Sequence, residues 1–139
     1  MRTLTALGVA GCLFLANTPA STQTPSLQLT GHWQFIDDAS VIEFVPCGDA
    51  VCARVRGLPP KPEPGEMPPP CGLEVLKGLK PKGAHWVGEA LDPETNKRYR
   101  AKVQPGKKSG ELELVVSALG GLVSDTMVLV PAKDFKSCS

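Results

Sequence analysis

Few side chains in this sequence could carry metal or acid–base chemistry. His32 and His85 are its two histidines, each followed by a tryptophan, Trp33 and Trp86. A zinc site needs three or four convergent ligands, and neither histidine has a second histidine or a cysteine at ligand spacing. Both read as solvated residues on strands. Asp37 and Asp38 could pose as paired carboxylates, but successive strand residues point to opposite faces, and Asp-Asp-Ala-Ser is a turn composition. No Gly-x-Ser-x-Gly elbow, phosphate-cradling loop or His-Glu-x-x-His helix is present. The sequence does not read as an enzyme's, and no cofactor or metal is expected.

Cysteine chemistry is better represented. Beyond residue 20 the chain has Cys47, Cys52, Cys71 and Cys138, an even count that suits two disulfides in an exported protein. Four cysteines permit three pairings. Gly48-Asp49-Ala50-Val51 between the first two has a tight-turn composition, which favours Cys47 with Cys52 and leaves Cys71 with Cys138.

Export is also written at the N-terminus. Arg2 precedes a run from Thr3 to Ala16 that is apolar apart from Thr5, then Asn17-Thr18-Pro19-Ala20 places small residues where a signal peptidase would cut. Residues 1–20 therefore read as a secretory signal peptide, for a periplasmic or secreted product. Val9-Ala10-Gly11-Cys12 resembles a bacterial lipoprotein cleavage box, but the apolar stretch before Cys12 is short and Leu13-Phe14-Leu15 stands where a polar linker belongs. The run also falls short of the roughly 20 residues that span a bilayer, so no transmembrane segment is expected. Removing residues 1–20 takes away one charge, Arg2, and leaves 14 basic and 14 acidic side chains. A balanced chain has no global field to recruit nucleic acid or an anionic membrane.

The elements that position these residues are strands. Residues 21–29 show no period and read as a flexible leader; residues 30–139 read as a single domain. Tyr99, Ala101 and Val103 alternate with Arg98, Arg100, Lys102 and Gln104, the two-residue period of a strand with one dry and one wet face. Asp92-Pro93 opens a turn before it, with Asn96 suited to a left-handed conformation. Similar runs occur over residues 32–36, 41–45, 51–57, 85–91 and 112–116, and residues 126–130 read as a last strand that is apolar on both sides and so flanked by neighbours. Residues 73–79 are a less certain strand, because Leu73, Val75, Leu76 and Leu79 fit neither period cleanly. If the 98–104 and 112–116 strands pair, Glu111 and Glu113 face Arg100 and Lys102 on the outside. Eight short strands with turn signals between them, and no amphipathic helix, predict an all-β, eight-stranded antiparallel up-and-down barrel.

Gly31-His32-Trp33 looks like the Gly-x-Trp opening of lipocalin-type barrels. It is followed by Cys47-Gly-Asp-Ala-Val-Cys52, Gly72-Leu-x-x-Leu76, Trp86-x-Gly88, Asp92-Pro93 and Tyr99-x-Ala101. In that order the chain resembles the bacterial exported family catalogued as domain of unknown function 2147, over roughly residues 30 to 130. The resemblance implies a small periplasmic barrel, similar in fold to the lipocalin and fatty-acid-binding barrels, with room for an apolar pocket. The chain departs from the family pattern near its end. Ala118-Leu119 replaces a glycine-cysteine pair, and Thr126-Met127-Val128-Leu129 lacks the closing tryptophan and arginine. Cys71 and Cys138 are candidates for an alternative fastening.

If the facing is right, Trp33, Phe35, Phe44, Trp86 and Tyr99 converge inside the barrel with Leu114. They serve either as core packing or as the wall of a pocket for a small apolar or amphipathic ligand. Residues 59–70 hold seven of the 14 prolines. They form an extended surface loop, a lid or a partner-docking segment, since they cannot form a helix or a central strand. Arg98, Arg100 and Lys102 form a solvated outer face or an envelope-contacting one. A filled barrel acting as an interaction module through that loop or face is the alternative function.

Overall fold

The computed structural model describes residues 27–138, together with residues 8, 11–13 and 16. Apart from those five residues, the expected signal peptide, its expected cleavage point and residues 21–26 of the expected leader lie outside the described residues. Cys12 is exposed and unbridged.

Each alternating run becomes a strand, and each pairs with its sequence neighbours. The order is β1 (Gly31–Phe35), β2 (Val41–Cys47), β3 (Ala50–Gly57), β4 (Glu74–Lys82), β5 (His85–Leu91), β6 (Arg98–Pro105), β7 (Leu112–Ala118) and β8 (Val123–Pro131). All eight are antiparallel, and β8 returns to β1 to close the barrel. One 3-10 turn at Leu119–Gly121 is the sole helical element among the described residues.

Facing follows alternation. On β6, Ala101 and Val103 are fully buried while Arg100 is exposed, and on β7 Leu112 and Leu114 are buried. Asn96 takes the left-handed conformation expected of it, φ 58°. Strand β4 resolves the irregular spacing of its leucines through a bulge. Register slips between Lys77 and Lys80, Gly78 has φ 64°, and the extra residue turns both Leu76 and Leu79 inward although they are three apart.

Two expectations need correction. Glu113 faces Gln104, whose amide donates to its carboxylate at 3.0 Å, while Arg100 and Lys102 face Ser117 and Val115. Glu111 stays in the turn, where its carbonyl accepts from the Gly106 N–H at 2.8 Å, so the length of that turn sets a register in which Glu113 faces Gln104 rather than Arg100. The segment from Leu27 to Thr30 is also no loose leader. Leu29 is 4% exposed in the core, Leu27 packs beside it, and the Trp86 indole donates to the Leu27 carbonyl at 2.6 Å. Strand β8 is longer than the expected 126–130 run, beginning at Val123.

Both disulfides form as expected. Cys47–Cys52 staples the β2–β3 hairpin across its Gly48-Asp49 turn. Cys71–Cys138 ties the C-terminal segment to the end of the proline-rich loop, and the Cys138 N–H donates to the Arg56 carbonyl at 2.7 Å.

Candidate functional site

Antiparallel up-and-down topology gives the barrel two ends, and they differ. The β2–β3, β4–β5 and β6–β7 turns gather at one end, which Leu27–Thr30 crosses. There Phe44, Ala53, Leu79, Val103 and Leu112 form a continuous core, with Trp33 and Trp86 packed against it. The Trp33 indole donates to the Thr30 carbonyl at 2.9 Å. Both tryptophans therefore anchor the segment that stops this end.

Side chains do not fill the other half. A cavity of about 360 Å³ opens at the end formed by the β1–β2, β3–β4, β5–β6 and β7–β8 connections. Phe35, Val55, Tyr99, Leu114, Val116 and Met127 supply much of its wall. Three of the six residues singled out in the sequence thus line the cavity: Phe35, Tyr99 and Leu114. Trp33, Phe44 and Trp86 sit toward the stopped end and do not. Alternation from Leu114 points to Val116 two residues on, and Met127 lies directly across from Leu114 on β8. The wall was thus partly legible once the pairing of β7 with β8 was known.

Polar groups enter the wall only toward the mouth: Ser40, Asp92, Tyr99 and Asp125. No lysine, arginine or histidine contributes to it. Asp92 is held by its own turn, accepting from the Glu94 N–H and the Thr95 hydroxyl, each at 2.9 Å. The Thr95 hydroxyl, followed by the Glu94 N–H, draws its carboxyl below the ordinary value of 3.8. Ser40 donates its hydroxyl to Asp38 at 2.6 Å, which also accepts the Ser40 N–H and closes the β1–β2 turn. Asp38 is thus a turn residue, as its sequence context implies.

The proline-rich loop arches along one side of this mouth. Pro69 belongs to the cavity wall, and Pro62, Glu66 and Met67 border a smaller cleft shared with Asp38, Pro93 and Glu94. Hydrogen bonds from Gly72 N–H to Val55 carbonyl and from Val55 N–H to Leu73 carbonyl anchor its far end beside β3.

His32 lies outside the barrel, its Nε2 2.7 Å from Glu43, with the Phe135 ring 5.1 Å away. Among the described residues no group of three His, Cys, Asp or Glu could hold a metal ion, and no helix is long and apolar enough to cross a membrane.

Fold and cavity together define a class: a disulfide-fastened β-barrel, stopped at one end and hollow at the other. The sequence model of the family described as "Uncharacterized protein conserved in bacteria (DUF2147)" matches residues 31–128, and the chain belongs to that family. No curated protein and no solved structure matches it.

Proposed function

We propose that this protein is a periplasmic, lipocalin-like barrel that holds a small apolar or amphipathic molecule. The observation that carries this reading is the unfilled half of the interior. A barrel of eight strands can be packed solid by its own side chains, as the stopped end is, yet about 360 Å³ is left open behind an apolar wall. That volume falls at the lower end of the ~300–1,000 Å³ usual for small-molecule sites. Export is supported by the N-terminal sequence and by two disulfides, which persist in oxidising compartments.

Titration with a neutral apolar fluorophore tests the reading. Saturable one-to-one binding is expected, weakened at least roughly tenfold by Val116→Trp, whose indole would occupy the cavity, with an unchanged circular dichroism spectrum. A wild-type protein that never binds the fluorophore, or a variant that binds it equally well, overturns the proposal. Mass spectrometry of protein purified under native conditions from its own host would identify the natural occupant.

A second reading, docking of a protein partner through the proline-rich loop, draws on Met67, which is 84% exposed on that loop. Deleting residues 59–69 would then abolish capture of the partner and leave the barrel folded.

A further inference from the structure

We propose that the cavity takes an amphiphile with a cationic, ammonium-type head, seated tail first with its head beside Asp125; this rests on the ligand-binding reading above. The stopped end decides the orientation. Leu27–Thr30 and the two tryptophans close the base, so an apolar tail enters from the mouth and any polar head stays there.

Charge at the mouth decides the class of head. The wall carries two carboxylates and no cation. An anionic head would meet like charge in a wall with no cation of its own, Lys97 acting on Asp92 from outside that wall, and an ammonium would meet an opposite charge. The two carboxylates are not equivalent. Asp92 is engaged by the Glu94 N–H and the Thr95 hydroxyl. Asp125 is exposed at the rim, and no side-chain hydrogen bond or ion pair involves it among the described residues.

Position explains why Asp125 faces the ligand space. Leu129, Met127 and Asp125 follow one another at two-residue steps, which puts them on the inner face of β8. Leu129 is buried in the core, Met127 lines the cavity wall, and Asp125 lies opposite Val116 at its rim. Pairing between β8 and β1 runs only from Leu129 to Pro131, so the Asp125 end of β8 rises past the β1 seam as part of the rim. The nearest basic residues of β6 do not compete for it. Arg98 lies 3.6 Å from Glu89 on the outer surface, and Arg100 shares that face. An ammonium at the rim would make the charge-assisted hydrogen bond that Asp125 lacks.

Three competitors with the same decyl tail separate the alternatives: decylamine, decanol and decanoate, displacing the neutral fluorophore at neutral pH and low salt, below their micelle concentrations. The expected order is ammonium, then alcohol, then carboxylate, with roughly tenfold between the extremes for a solvent-accessible charge. Added salt compresses the order. Asp125→Asn brings the ammonium-to-carboxylate ratio toward one. A carboxylate that competes as well as the ammonium, or a ratio that Asp125→Asn leaves intact, overturns the head-group assignment while the cavity reading stands. If the fluorophore itself does not bind, the cavity reading fails and takes this assignment with it.

Discussion

Gly88 of β5 lies directly against Gly78 of β4. A Cβ on Gly88 would stand 3.0 Å from the Gly78 carbonyl carbon and 2.6 Å from the Lys77 carbonyl oxygen, closer than real atoms approach. Gly78 itself has open space around it but a φ of 64°. One glycine is needed for room and the other for backbone conformation. Together they let the bulge turn Leu76 and Leu79 into the same core.

Gly88→Ala should therefore be the more damaging of the two substitutions. Overpacking against backbone costs about 3 kcal/mol, whereas a side chain in the left-handed conformation at Gly78 costs about 1 kcal/mol. Urea unfolding of both variants measures the order, and equal losses would show that the contact is easily relieved.

The two disulfides should differ in what they contribute. Cys47–Cys52 spans 5 residues and Cys71–Cys138 spans 67. In the chain-entropy account the shorter is worth about 2 kcal/mol and the longer about 4 kcal/mol. Denaturation of the paired alanine variants, one bridge at a time, checks the ranking.

Leu29→Ala should loosen the stopped end. Removing a buried leucine side chain costs about 3 kcal/mol, and the Trp86 indole, bonded to the Leu27 carbonyl, would meet more water. Tryptophan emission should shift to longer wavelength along with the stability loss; an unshifted spectrum would show that the segment stays docked without Leu29.

Acid should weaken the β5–β6 turn through Asp92. Its folded carboxyl titrates below the ordinary 3.8, held down by Thr95 and Glu94. The unfolded chain thus binds the proton first as pH falls. The contribution is complete well above pH 3.8 and is lost as pH drops below that value toward the depressed one. Thr95→Val should shrink this acid-dependent part, as followed by amide exchange in the turn between pH 5 and pH 2, roughly the window over which such carboxylates titrate.

Much of this architecture could be read from the residues alone, because alternation assigns faces and turn residues mark boundaries. Tyr99, Ala101 and Val103 behave as their spacing says. What alternation does not carry is register: Glu113 met Gln104 because the Pro105–Glu111 turn, not the charges, sets the pairing. Nor does it say how full the inside is. Trp33, Phe44 and Phe35 all face inward, yet only Phe35 borders the cavity, because the emptiness depends on which end Leu27–Thr30 crosses. That crossing comes from a stretch with no period at all.

Closure between β1 and β8 rests on three facing pairs, Trp33 with Pro131, Gln34 with Val130 and Phe35 with Leu129. Every other ladder joins neighbours in sequence and can zip up locally, whereas this seam must bring together residues nearly a whole domain apart. A chain that closes this seam last would pass through an open eight-stranded ribbon with two bare edges, the species most exposed to aggregation.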